Sequence, residues 1–236
     1  RFGAPVYPGD TVTTTSTVTG LKENSNGKTG VVYVNSVGTN QRGEVVLDYT
    51  RWVMVNKADQ AAPAPETVLP DLPDAVAADQ LELPAGLDLA AYDDTLAGSA
   101  FRWGDYAVGE KIDHVDGVTL DEAEHMMATR LWQNTAKVHF NQHVEKDGRF
   151  GRRIVYGGHV ISIVRALSFN GLANAVTIAA INGGTHSNPT FAGDTVYAWS
   201  EVLDKAETSA PGVGALRLRL VATKGRDESM TLRDEA

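Results

Sequence analysis

The sequence predicts an α+β protein: antiparallel sheets, each wrapped around a central helix, in two tandem copies. Three observations lead there. Ala4–Val18, "APVYPGDTVTTTSTV", aligns without a gap on Asn188–Val202, "NPTFAGDTVYAWSEV", at a constant offset of 184 positions. Helical patterns are few, and one of them is apolar nearly all round. Most of the remaining patterned segments are β-rich runs bounded by turn residues.

The repeat pairs Pro5 with Pro189, Gly9 with Gly193, Asp10 with Asp194, Val12 with Val196 and Ser16 with Ser200. The same offset carries Glu23 to Glu207 and Gly30 to Gly214. Proline and glycine set a turn, and an Asp side chain bonds back to the backbone, so Pro-x-x-x-Gly-Asp feeding a strand is a coherent local unit. A period this long means duplicated domains rather than a solenoid.

In chain order, residues 1–57 read as turn, strand and hairpin, the hairpin being two β-rich runs around "NQRG". They predict the C-terminal strands of a first unit lacking its front half. Residues 58–100 are rich in Ala, Pro, Asp and Glu and read as a linker. Residues 101–236 read as a second unit lacking its last strand. There a strand near Lys111–His114 leads to a helix from about Leu120 to Leu131. Thr119 and Glu122 form its capping box, and Leu120, Ala123, Met127 and Leu131 share a face. "RIVYGGHVISIVRALSFNGL" holds a second helix, with Gly171 suited to its end. Val160, Ile161, Ile163, Val164 and Leu167 leave it little polar face, so it must be wrapped on most sides. "AVTIAAI" follows as a buried strand. One mostly buried helix in the concave face of an antiparallel sheet is the hot-dog arrangement. The chain opens at Arg1 in mid-pattern and reads as a fragment.

With 21 basic and 30 acidic residues, a net charge of −9 argues against a nucleic-acid binder, which needs a basic face. There are no cysteines, which excludes disulfides and thiolate chemistry and fits the cytoplasm. No apolar run approaches the ~18 residues of a membrane span.

"RFGAPVYPGDTV", "NTAKVHFNQ" and "RIVYGGHVISI" resemble the MaoC-like hydratases, a family of two-hot-dog enzymes that add water to enoyl-CoA thioesters. Within it they are most similar to the branch acting on mesaconyl-CoA. The resemblance covers the chain outside the linker. It implies a hydro-lyase that interconverts mesaconyl-CoA and β-methylmalyl-CoA, with an acyl-CoA as partner and no cofactor beyond the CoA of the substrate. It also implies homo-oligomers, since hot-dog units bury their sheet edges by pairing. Alternatives are a hot-dog acyl-CoA thioesterase and a non-catalytic acyl-CoA-binding or scaffold domain.

The family's hydratase motif is Gly-Asp-x-Asn-Pro-x-His. Here residues 133–139 read Gln-Asn-Thr-Ala-Lys-Val-His, and only His139 matches. The resemblance makes His139 the proton handler, a task that suits imidazole near neutral pH. The competing reading is a packed histidine bonded to a carbonyl. Asn134 stands where the family has its aspartate. It cannot take a proton, so it either orients water or caps local backbone.

Gly157 and Gly158 precede the second helix, and the free amides of a helix start suit a thioester oxygen gaining negative charge. Glycine there could equally serve close packing. Arg149, Arg152 and Arg153, with Lys137 as a weaker candidate, could receive CoA phosphates or the substrate carboxylate, or simply be solvated. His139 and His143, four apart, lack the Glu that a zinc-protease pair needs, and no metal is assigned. His114, His125, His159 and His186 show no partner pattern and are given no role.

Overall fold

The structure, a computed structural model, describes residues 1–86 and 88–226. The end of the predicted second unit, 227–236, lies outside the described residues.

Among the described residues two three-stranded antiparallel sheets form. The first comprises β1 (Thr13–Glu23), β2 (Thr29–Thr39) and β3 (Val45–Asn56), in that order. The turn joining β2 to β3 is the predicted one: the Gly43 amide donates to the Asn40 carbonyl and the Asn40 amide to Glu44. Among the described residues four α-helices follow the first sheet in sequence: α1 (Asp94–Ala97), α2 (Glu122–Leu131), α3 (Gln142–Glu145) and α4 (Gly157–Leu167). The second sheet comprises β4 (Lys111–Thr119), β5 (Thr195–Glu207) and β6 (Gly214–Lys224).

The repeated turn is built the same way twice. The Asp10 carboxylate accepts from the Tyr7 amide at 3.0 Å, and Asp194 from Phe191 at 2.8 Å. Gly9 and Gly193 take φ of 96° and 92°, a left-handed conformation that suits glycine.

By contacts the chain divides into two units. Residues 1–91, 177–184 and 208–211 form one, and 92–176, 185–207 and 212 onward form the other. In the first unit, Leu21 and Val68 exchange backbone hydrogen bonds at the β1 edge, and Phe2 donates to Ala179. In the second, one core cluster joins Val160, Val164 and Leu167 of α4 to Leu120, Val155, Val196 and Ala198. A second joins Tyr106, Ile112, Leu172 and Val202.

Several expectations need correction. "AVTIAAI" (175–181) is irregular, with Val176, Ile178 and Ile181 exposed. High β-propensity becomes a strand only against a neighbouring ladder, and Phe2 supplies a single bond there. The β4 strand runs past His114 to Thr119, with an irregular step between Asp113 and Gly117. Helix α2 starts at Glu122 and is capped by Asp121, whose side chain accepts from the Ala123 amide. Thr119 instead bonds Thr195 across the sheet.

The buried face of α2 is polar, made of His125 and Thr129, while Met127 and Leu131 stand exposed. Part of that face is bonded within the helix, His125 Nε2 to Glu122 and the Thr129 hydroxyl to the His125 carbonyl, while His125 Nδ1 is buried without a partner among the described residues. Helix α4 is wrapped on one side only: Ile161 is 50% exposed. It ends at Ser168, before Gly171.

Candidate active site

His139 closes a single 3-10 turn, Lys137–His139, and lies half-buried. Its Nδ1 is 3.1 Å from the Ile154 carbonyl. A carbonyl only accepts, so Nδ1 carries the proton, and in the neutral ring Nε2 keeps its lone pair. Nε2 has no partner among the described residues. His139 thus bonds a carbonyl, and that bond orients the ring while leaving Nε2 open.

Tyr156, the residue before α4, sets its ring 5.6 Å from that of His139, tilted by 59°. Two residues earlier, Ile154 receives the His139 bond. Residue 155 is held in turn by its amide, which donates to Thr190 at 2.7 Å. The segment entering α4 is thus pinned on both sides.

At the helix start Gly157 and Gly158 offer backbone amides with no acceptor among the described residues. Both positions are crowded. A Cβ on Gly157 would come within 2.5 Å of the His186 ring, and one on Gly158 within 2.7 Å of the Tyr156 hydroxyl. Glycine is needed there for close approach of rings to backbone.

Asn134 uses its side-chain oxygen locally, accepting from the Ala136 amide at 2.9 Å, and its own amide donates to Thr129. Its side-chain NH2 remains. The arginines separate into two kinds. Arg153 is largely buried and tied to Glu122 and the Met126 sulfur, tethering α2. Arg149 and Arg152 are exposed and lie over aromatic faces, Arg149 on Phe150 at 5.0 Å and Arg152 on Phe191 at 3.9 Å. Lys137 is exposed. His143 sits in α3, exposed and on a different helix from His139.

The other histidines differ in kind. His114 is fully buried, with Nδ1 on the Asn170 carbonyl at 2.5 Å and Nε2 on the Ser200 hydroxyl at 2.8 Å. His125 is fully buried against Glu122. Burial pushes both rings below the ordinary histidine value. His159, in the first turn of α4, faces Glu124 at 3.7 Å. A concavity lined by Arg1, Val76, Asp79 and Glu82 belongs to the first unit and holds none of the candidate residues.

Two side chains at this site were given no role from the sequence, Tyr156 and His186. The first could have been found, since an aromatic directly before a glycine pair at a helix start has few places to go. The second sits in a loop, with no periodicity to mark it.

A sequence profile described as mesaconyl-CoA hydratase matches residues 1–231. The chain belongs to this family. It is 67% identical over 229 residues to a β-methylmalyl-CoA dehydratase of Chloroflexus aurantiacus, covering 96% of this chain and 64% of that protein. It is 65% identical over 235 residues to a mesaconyl-CoA hydratase of Cereibacter sphaeroides, covering the whole chain and 68% of that protein. The chain thus spans about two thirds of the length of these family members. A solved MaoC domain dehydratase from C. aurantiacus superposes with a TM-score of 0.91 at 67% identity, covering 97% of this chain and 65% of that one. A Mycobacterium tuberculosis protein with a double hot-dog fold does so at 0.72 and 26%, over 98% of this chain and 68% of that one. Among the described residues no helix is long and apolar enough to cross a membrane.

Proposed function

We propose that the protein is a hydro-lyase that reversibly adds water to mesaconyl-CoA to give β-methylmalyl-CoA. One observation carries this reading: a histidine with an open ring nitrogen stands beside a helix start with unbonded amides. Hydration of a conjugated thioester needs that pair. His139 Nε2 takes a proton from water as the water oxygen bonds the β-carbon, and electron density moves to the thioester oxygen. The Gly157 and Gly158 amides, at the positive end of the α4 dipole, receive that developing charge.

Asn134 cannot be a base, and its oxygen serves its own turn. Its NH2 is free to donate to the attacking water, leaving the second lone pair of that oxygen to attack. Arg149 and Arg152, pre-organised on aromatic faces and without an ion pair among the described residues, receive the CoA phosphates or the free carboxylate of the acyl group. Arg153, tied to Glu122, is less open to that role than the other two, and Lys137 adds positive charge. The only cofactor-like group is the CoA that arrives with the substrate. We place the enzyme in the cytoplasm and expect its hot-dog units to pair into oligomers.

The test is to mix intact protein with mesaconyl-CoA and follow loss of the conjugated thioester absorbance. A thiol reagent run in parallel should detect no free CoA, which separates hydration from thioester cleavage. His139→Ala should lower kcat/KM by about 10²- to 10⁴-fold. Full activity in that variant rejects the assignment.

A further inference from the structure

Hydration moves two protons, one off the water and one onto the α-carbon, and the arrangement above names a handler only for the first. His186 lies at the same helix start. An ideal Cβ on Gly157 would sit 2.5 Å from both Cε1 and Nε2 of His186, closer than real contacts allow, so the ring edge is pressed against the Gly157 backbone. The Tyr156 ring covers Gly158 in the same way, and the His139 ring stands against Tyr156. Two imidazoles therefore flank one Tyr–Gly step, whose Cα atoms are about 3.8 Å apart.

The loop carrying His186 is fastened four residues later, where Thr190 accepts from the Val155 amide at 2.7 Å. His186 is exposed, and neither ring nitrogen has a hydrogen-bond or ion-pair partner among the described residues. Of the other titratable groups at this helix start, His159 has its Nε2 buried 3.7 Å from Glu124, and the Tyr156 ring is packed over Gly158. The Asn134 carboxamide is neither an acid nor a base near neutrality.

We propose that His186 is a second catalytic residue, the general acid that protonates the α-carbon. The inference rests on the hydro-lyase reading. The step balances as follows. Water loses a proton to His139 Nε2, the carbon–oxygen bond forms at the β-carbon, and the π electrons pass to the thioester oxygen. The enolate then re-forms its carbonyl as the α-carbon takes the proton of imidazolium His186. The enzyme is left with His139 protonated and His186 neutral, and solvent reaching both rings restores the starting state. Dehydration runs the same transfers in reverse.

The experiment compares His186→Gln and His186→Phe with wild type in the intact protein, on mesaconyl-CoA, across pH. The expected result is a fall in kcat of about 10²-fold or more with KM little changed. One limb of the pH profile should vanish in both variants, with the melting temperature held. His139→Gln should remove the opposite limb. Wild-type turnover with kcat and both limbs retained in the variants overturns the role of His186 and leaves the hydro-lyase reading standing. So does a loss that tracks a lower melting temperature with both limbs intact, which would mark a packing role. An inactive wild type overturns the hydro-lyase reading itself, and the proposal with it.

Discussion

The two sheets share a backbone plan and differ in what covers it. β1 pairs with β2 through a bulge between Val18 and Gly20, and β5 pairs with β6 through one between Val202 and Asp204. Those bulges are again 184 positions apart, although the extra residue is Thr19 in one and Leu203 in the other. Burial does not follow. Val18 is 58% exposed and Val202 fully buried, and Val12 is 45% exposed against 2% for Val196. Helix α4 packs on β4, β5 and β6, and among the described residues no helix packs to a like extent on the first sheet. Register is written locally, in turn chemistry and alternation. Burial is decided by whatever element arrives from elsewhere in the chain.

Matched substitutions are the sharpest way to break this contrast. Val202→Ala removes two methyl groups from a closed core and leaves a cavity, an expected cost of about 2 kcal/mol. Val18→Ala, at the same register position of the other sheet, should stay within about 0.5 kcal/mol. Denaturant unfolding with strand-resolved hydrogen exchange measures both. Equal losses would mean that something covers Val18 after all.

Acid sensitivity offers a smaller contrast. All six histidines fall between residues 114 and 186, and the first unit has none. His114 and His125 are held neutral by burial, below the ordinary value of 6.5. The unfolded chain binds protons there before the folded one does. Their contribution to stability is therefore full above pH 6.5 and lost as pH falls below it. In the first unit Asp10 is held down to about 2 by the Tyr7 amide, Gln41 and Arg42. Its contribution is present above the ordinary 3.8 and lost only as pH falls through about 2. Hydrogen exchange across an acid series should loosen β4 and β5 before β1 and β2. His114→Asn should flatten the first step.

Most of the fold was legible because its signals are local. The turn at Asp10 and Asp194, the β2–β3 hairpin, and α4 with its glycine pair each follow from a few neighbouring residues. What failed was decided at a distance. The apolar run 175–181 has strand chemistry and lacks a ladder, and the apolar face of α2 lost its place to a polar face bonded in part within the helix. The site divides in the same way. His139 stood out because its surroundings resemble a known motif, yet its anchor at Ile154 is invisible in sequence, as is the ring of His186 against Gly157. Arg149, Arg152 and Arg153 read alike as letters. Only packing shows that the third is spoken for.

The comparison also predicts where the copies should not differ. Each Asp of the repeated turn accepts one backbone amide and faces a basic side chain, Arg42 for Asp10 and Lys224 for Asp194. Burial pushes the Asp194 carboxyl up, but the Lys224 hydrogen bond and the Phe191 amide more than offset it, so both carboxyls sit below their ordinary value. Replacing either by Asn keeps an oxygen for the amide and removes an ion pair near solvent, which is worth little and is screened by salt. Asp10→Asn and Asp194→Asn should each lower the melting temperature by at most a few degrees, by similar amounts, with the difference from wild type shrinking in high salt. A much larger fall for Asp194→Asn would mean that the turn in the second copy also braces Phe191 and the Arg152 stacked on it.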